Sequence, residues 1–176
     1  PSNPQDAKGL LLSSFEDPNP VIFFEHKFLY RSLKGKVSTG YYNTPIGKAA
    51  LVQEGQDLTI ITYGLGVHWA LDAAAQRPDQ SFEILDLRTL LPLDQDAIIQ
   101  AACKTGRVLI LHEDTLTAGI GGELVAIVNE FCFEKLDAPV LRVASLDTPV
   151  PFAADLEQQF LASQRLLSTI DKLLAY

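Results

Sequence analysis

Gly106-Arg107-Val108-Leu109-Ile110-Leu111-His112-Glu113 holds the stretch that decides the fold. Four consecutive apolar residues after a glycine read as a strand covered on both faces, the pattern of a parallel sheet rather than of a one-sided antiparallel one. On its N-terminal side, Asp94 caps a helix carrying Ile98, Ile99, Ala102 and Cys103 on one face, and Gly106 ends it with Lys104 and Arg107 at its negative pole. On its C-terminal side, Leu124, Ile127, Val128 and Phe131 recur at helical spacing.

The same alternation extends outward. Ala49-Ala50-Leu51-Val52 and Leu58-Thr59-Ile60-Ile61-Thr62-Tyr63 read as strands separated by a turn at Gly55-Gln56. A helix over 67–77 follows, with Val67, Ala70, Leu71 and Ala74 on one face and Pro78 stopping it. Phe82 to Leu85 and Val140 to Val143 are further strands, and Ser163 is the expected cap of a last helix burying Leu166, Leu167, Ile170, Leu173 and Leu174. Strands alternating with helices specify crossover units, hence an α/β three-layer sandwich with a mainly parallel sheet over residues 49–176.

The first 48 residues differ. Asn3 caps a helix over 4–15, Pro4 suits its first position, and Pro18 and Pro20 end it. Its expected apolar stripe is Ala7, Leu10 and Leu11, and Val21-Ile22-Phe23-Phe24 reads as a short buried strand. A helix and one strand cannot hold a core, so residues 1–25 read as the end of a preceding domain. Residues 26–48 carry Lys27, Arg31, Lys34, Lys36 and Lys48 and no acid. They read as an extended linker, neutralised by the acidic domain it crosses or contacting a phosphate or acidic partner.

Over its 176 residues the chain has 22 acidic and 14 basic side chains, a net charge of −8, which argues against a nucleic-acid partner. There is no run of about 18 apolar residues to span a membrane, and the polar start Pro1-Ser2-Asn3-Pro4 does not resemble a signal peptide. A chain without methionine reads as a processed product or an excised piece. Cys103 and Cys132 lack metal or redox spacing and read as reduced thiols, and His26, His68 and His112 show no zinc-ligand spacing.

Three features invite chemistry. Gly119, Gly121 and Gly122 open a helix after a strand, yet Leu124 stands where a dinucleotide fingerprint needs glycine, and the pair Gly64 and Gly66 is less complete still. These turns serve close packing of a helix on the sheet, or hold a phosphate. His112 and Glu113 lie just past a buried strand, where an imidazole beside a carboxylate could move a proton. Asp86 and Arg88 also sit at a strand end and are expected to pair with each other. No complete catalytic constellation emerges.

Several strings carry a resemblance: Pro4-Gln5-Asp6-Ala7-Lys8-Gly9-Leu10-Leu11, Asn19-Pro20-Val21-Ile22-Phe23-Phe24-Glu25-His26-Lys27, Leu29-Tyr30-Arg31, Asp86-Leu87-Arg88-Thr89-Leu90-Leu91-Pro92-Leu93-Asp94, Lys104-Thr105-Gly106-Arg107, Leu136-Asp137-Ala138-Pro139-Val140 and Asp147-Thr148-Pro149-Val150-Pro151. In this order they resemble the beta subunit of the decarboxylating component of 2-oxo acid dehydrogenase complexes, the branched-chain (2-oxoisovalerate) type above the pyruvate type. The resemblance implies that residues 1–25 end a pyrimidine-binding domain, 26–48 form the linker and 49–176 form a transketolase-type C-terminal domain.

It also implies thiamine diphosphate and magnesium in the intact enzyme, shared with an alpha subunit. The catalytic and cofactor-binding residues then lie outside this chain, which binds neither group alone. A potassium ion is implied at Ser14, Asp17 and Asn19. The implied partners are the alpha subunit (or an alpha-like half of the same polypeptide), a second beta copy and the acyltransferase core, with Tyr176 as a docking anchor. The implied compartment is the bacterial cytoplasm or the mitochondrial matrix. A non-catalytic, stand-alone binding module is the alternative.

Overall fold

The structure, a computed structural model, describes residues 1–176. Its elements in chain order are α1 (Pro4–Glu16), α2 (Leu29–Ser32), β1 (Ala50–Gln53), β2 (Leu58–Thr62), α3 (Leu65–Ala75), β3 (Phe82–Asp86), α4 (Gln95–Thr105), β4 (Val108–Thr115), α5 (Gly121–Cys132), β5 (Leu141–Ser145), α6 (Ala154–Phe160) and α7 (Ser163–Leu174). A single 3-10 turn, Phe133–Lys135, follows α5. The five strands form one sheet in the order β1-β3-β2-β4-β5. Strands β3, β2, β4 and β5 are mutually parallel, and β1 adds an antiparallel edge on β3.

Every residue of β2 and β3 is buried, as are Val108 to His112 of β4. Successive strand residues face opposite sides, and each side has its own core. Leu58, Ile60, Leu109, Leu111 and Val143 pack with Ala70 and Ala73 of α3 and with Leu166, Ile170 and Leu173 of α7. Ile61, Leu85, Val108 and Ile110 pack with Ile98 and Ala102 of α4 and with Leu124, Val128 and Cys132 of α5. The three layers expected for 49–176 are thus present. Asp94 caps α4 by accepting from Ala97 N, and Gly106 ends it in the left-handed conformation at φ 66°.

Three local expectations are corrected. Val21 to Phe24 form no strand and join no ladder, and Ile22 and Phe24 are 78% and 81% exposed. In α1, Leu10 is buried but Leu11 is exposed, so the apolar stripe is only partly covered. Ser163 is the first residue of α7 and not its cap: Ala162, itself helical, precedes it with no side-chain cap. Helix α6 carries no sequence signal, since Ala153 provides no cap and only Phe160 is buried. The linker is also less neutralised than its charge suggested. Of its five cations only Lys48 has a carboxylate partner, Asp94 at 3.5 Å, while Lys27, Arg31, Lys34 and Lys36 are exposed.

Residues 38–44 run along α1. Lys8 Nζ donates to the carbonyls of Ser38 and Gly40, Tyr42 Oη to that of Gln5, and Ser13 Oγ to that of Thr44. Thr44 N donates to Gly9 O at 3.2 Å, an approach that only glycine permits: a Cβ on Gly9 would sit 2.1 Å from Thr44 Oγ1.

Gly55 shows the same constraint within the domain, where a Cβ would lie 2.1 Å from the Phe82 carbonyl carbon and 2.2 Å from Glu83 N. Backbone cannot yield as a side-chain tip can. Gly55→Ala is therefore expected to cost about 3 kcal/mol by urea denaturation, whereas Gly40→Ala, with nothing within 4 Å of its Cβ, should change stability by no more than about 0.5 kcal/mol.

Candidate functional site

Parallel sheets gather polar groups beyond the carboxyl ends of their strands, at the point where the crossovers change direction. Here that point lies between β2 and β4. The Tyr63–Gly66 turn and the 116–120 loop flank it, so both glycine turns of the sequence meet at one edge.

Neither turn cradles a phosphate. A Cβ on Gly66 would lie 2.1 Å from Thr62 Oγ1, so the Thr62 hydroxyl fills that space. Cβ atoms on Gly119 and Gly121 would lie 2.7 Å from His112 Cε1 and 2.5 Å from His112 Nε2. The glycines are there to let the α5 turn close over a buried imidazole, which answers the packing reading of that motif. Helix α3 likewise begins after Gly64 at φ 56°.

His112 and Glu113 do not act together. As strand neighbours they point to opposite faces. His112 is 1% exposed and neither ring nitrogen has a hydrogen-bond partner. Burial, aided by the Arg142 charge, pushes its pKa below the ordinary 6.5, with Asp114 opposing. Glu113 instead accepts from His26 Nε2 at 2.7 Å, tying the linker's start to β4. Tyr63 is pushed up to about 12 by burial and by the charges of Asp114 and Glu113.

At the end of β3 lies a polar clasp. Asp86, 0% exposed, accepts from Ser2 Oγ at 2.5 Å and from Arg88 N at 2.9 Å. Burial raises its pKa, and the Ser2 and Arg88 hydrogen bonds counter that rise. The Arg88 side chain turns away from Asp86, correcting the expected pairing, and forks onto Asp6 of α1 through Nη2 at 2.8 Å and Nε at 3.0 Å. Asn3, capping α1 through Asp6 N, donates to the same carboxylate at 2.7 Å, and His68 Nε2 donates to Ser2 O at 2.7 Å.

Sequence reading found Asn3 as the cap and missed Ser2, Asp6 and His68. The one available signal was an acid three residues after an asparagine cap.

The other predicted residues stay local. Ser14 Oγ donates to Leu10 O, and Asp17 Oδ1 accepts from both Asn19 N and Asn19 Nδ2 at 2.9 Å. Tyr176, just past α7, is 58% exposed. No group of three or more His, Cys, Asp or Glu side chains converges on a metal position. With the glycine turns filled, these residues do not make a diphosphate and magnesium site, so no chemical step is assigned to that cofactor here. What the clasp does is hold α1 against the sheet end.

A five-stranded sheet in this order, with two helices on each face and a helix clasped to its end, defines an α/β domain of the transketolase type. The chain belongs to the family described as "Transketolase, C-terminal domain", whose sequence model matches residues 47–165. It is 49% identical over 166 residues to the 2-oxoisovalerate dehydrogenase subunit beta of Bacillus subtilis, covering 93% of this chain and 51% of the relative. It is 48% identical over 155 residues to the pyruvate dehydrogenase E1 component subunit beta of the same organism, covering 87% and 48%. To that organism's acetoin:2,6-dichlorophenolindophenol oxidoreductase subunit beta it is 46% identical over 163 residues, covering 92% and 47%. The chain spans about half the length of the curated relatives it matches. Among solved structures, a split-gene transketolase, an inactive beta4 tetramer, shares the fold at a TM-score of 0.61 and 21% identity, over 76% of this chain and 44% of its own.

His112 makes stability depend on pH. Its folded pKa lies below its unfolded one, so its contribution is complete above about pH 6.5. That contribution is lost as pH falls from there toward the folded value, because only the unfolded chain takes the proton readily. Urea midpoints should drop between pH 7 and pH 5, and His112→Gln should flatten that drop. An identical slope in the variant would contradict the assignment.

Proposed function

We propose that this chain is the C-terminal half of the beta subunit of a thiamine-dependent 2-oxo acid dehydrogenase of the branched-chain type. In the intact enzyme the decarboxylation is carried out with an alpha subunit and the pyrimidine-binding half of the beta subunit. This half serves assembly and docking of the acyltransferase. The observation that carries the reading is the 49% identity, over 93% of the chain, to a 2-oxoisovalerate dehydrogenase beta subunit. The 48% identity to a pyruvate dehydrogenase beta subunit supports pyruvate as the second reading.

The surface supports an assembly role. Ile22, Phe24, Phe28, Val150 and Phe152 are 62–106% exposed, large apolar side chains that a partner surface could cover. The charge of −8 would steer a basic docking partner, and the exposed Tyr176 ring suits an anchoring contact. The α1 remnant, the 26–48 linker and the 49–176 domain belong to the same reading. So does potassium at Ser14, Asp17 and Asn19, where the turn leaves Asp17 Oδ2 and Asn19 Oδ1 without protein partners.

Reconstitution tests the proposal. The chain fused behind the N-terminal half of the Bacillus subtilis 2-oxoisovalerate dehydrogenase beta subunit, and expressed with the alpha subunit, should restore thiamine-dependent decarboxylation. A parallel fusion behind the N-terminal half of the same organism's pyruvate dehydrogenase beta subunit, with its own alpha subunit, should assemble less well and turn over more slowly. The reverse order would move the assignment to the pyruvate reading, and soluble fusions that assemble with neither alpha subunit would refute both. In the active assembly, deleting Tyr176 should weaken acyltransferase binding, and added salt should weaken it further.

A further inference from the structure

Cys103 and Cys132, distant in the chain and without motif spacing, meet in the fold. Helix α4 fills the crossover from β3 to β4, and α5 that from β4 to β5. Since β3, β4 and β5 are mutually parallel, both helices run back against the strands and therefore parallel to each other. They pack on one face of the sheet, in the core that holds Ile98, Ala102, Leu124 and Val128. Their C-terminal ends lie level, and each end carries a cysteine. Cys103 stands two residues before the end of α4, and Cys132 is the last residue of α5.

The side chains confirm the approach. Cys132 Sγ donates to the carbonyl of Ile99 at 3.8 Å, and Ile99 lies one helical turn before Cys103 on the same face of α4. Both cysteines are free thiols packed in the same core. Burial and then the neighbouring Cys103 sulfur, within hydrogen-bonding reach, push the Cys132 pKa up to about 12. Access separates the two: Cys132 is 1% exposed, whereas Cys103 is only partly buried. A dissolved oxidant therefore reaches Cys103 first, and Cys132 meets only its neighbour.

We propose that Cys103 and Cys132 form an oxidisable dithiol, in which a small hydroperoxide oxidises Cys103 and Cys132 then closes a disulfide that ties α4 to α5. The Cys103 thiolate attacks one oxygen of hydrogen peroxide, the O–O bond breaks and hydroxide leaves, so that Cys103 carries a sulfenic acid. Cys132 gives up its proton, its sulfur attacks the Cys103 sulfur, and the S–O bond breaks with loss of a second hydroxide. Together the two thiols lose two electrons and two protons, and the peroxide becomes two waters. The bridge closes a loop around β4 and so braces the α4–β4–α5 unit against unfolding. This inference stands apart from the proposed function, since it rests on the helix pairing and is read without turnover.

The test treats the full native chain with a few equivalents of hydrogen peroxide, alkylates the remaining thiols in denaturant and maps the peptides by mass spectrometry. The chain has no methionine, so these two thiols are its only sulfurs and the reaction reports on them alone. Cys103 and Cys132 should be lost together, appear as one linked peptide pair within a single chain, and be restored by dithiothreitol. The oxidised chain should unfold about 5 °C or more above the reduced one. In Cys103→Ser, a change at a partly exposed position, Cys132 should be lost at least about tenfold more slowly than in the wild type. Cys103 advancing to sulfinic acid while Cys132 stays free, a bridge between two chains, or equally fast loss of Cys132 in Cys103→Ser would overturn the proposal. So would an oxidised chain that unfolds no later than the reduced one, since its bridge would brace nothing.

Discussion

Everything ahead of the sheet depends on the fork of Arg88 onto Asp6, locked in place by Asp86 and Ser2. The Asp6 side chain is 6% exposed and that of Arg88 22%, so both charges are largely withdrawn from water. Removing one partner from such a pair leaves the other uncompensated, which typically costs about 3–5 kcal/mol. Arg88 reaches Asp6 from a left-handed backbone at φ 57°, a conformation that costs a non-glycine residue on the order of 1 kcal/mol. Asp86 offsets this strain by accepting Arg88 N, so one buried carboxylate fixes the arginine's backbone while the Ser2 hydroxyl fixes the helix.

From that clasp the geometry propagates outward. Helix α1 is held by its first turn, the 38–44 segment is laid along it through Lys8, Tyr42 and Thr44, and the chain enters β1 with Ala49 N bonded to Asp94 Oδ2 at 3.0 Å. Asp94 also caps α4, so the same residue seats the linker's end and starts a helix of the domain. The helix read as a domain remnant is thereby seated on the sheet end, whereas Val21 to Phe24, beyond the reach of these bonds, stays exposed.

The domain was legible because its signals are local. Val108 to Leu111 announces a strand covered on both sides, and Asp94 and Gly106 mark both ends of α4 by capping chemistry that needs no tertiary knowledge. The site was largely illegible because its pairings are distant. Asp6 and Arg88 are 82 positions apart, and Asp86 looked like the natural partner of Arg88 only because it is two residues away. His112 and Glu113 looked like one functional pair for the same reason, until the strand sent them to opposite faces. The glycine turn resembled a phosphate loop, since nothing local shows that Gly119 and Gly121 make room for His112. Val21 to Phe24 failed differently: apolar composition proposes a strand, but only pairing into a ladder makes one.

Hydrogen exchange in Arg88→Gln tests the clasp most directly. The amides around Leu10 in α1 should lose protection by about a hundredfold or more, while those of Val108 to Leu111, in the centre of the sheet, keep theirs. Unchanged protection in α1 would contradict the account, as would a loss shared equally by α1 and β4.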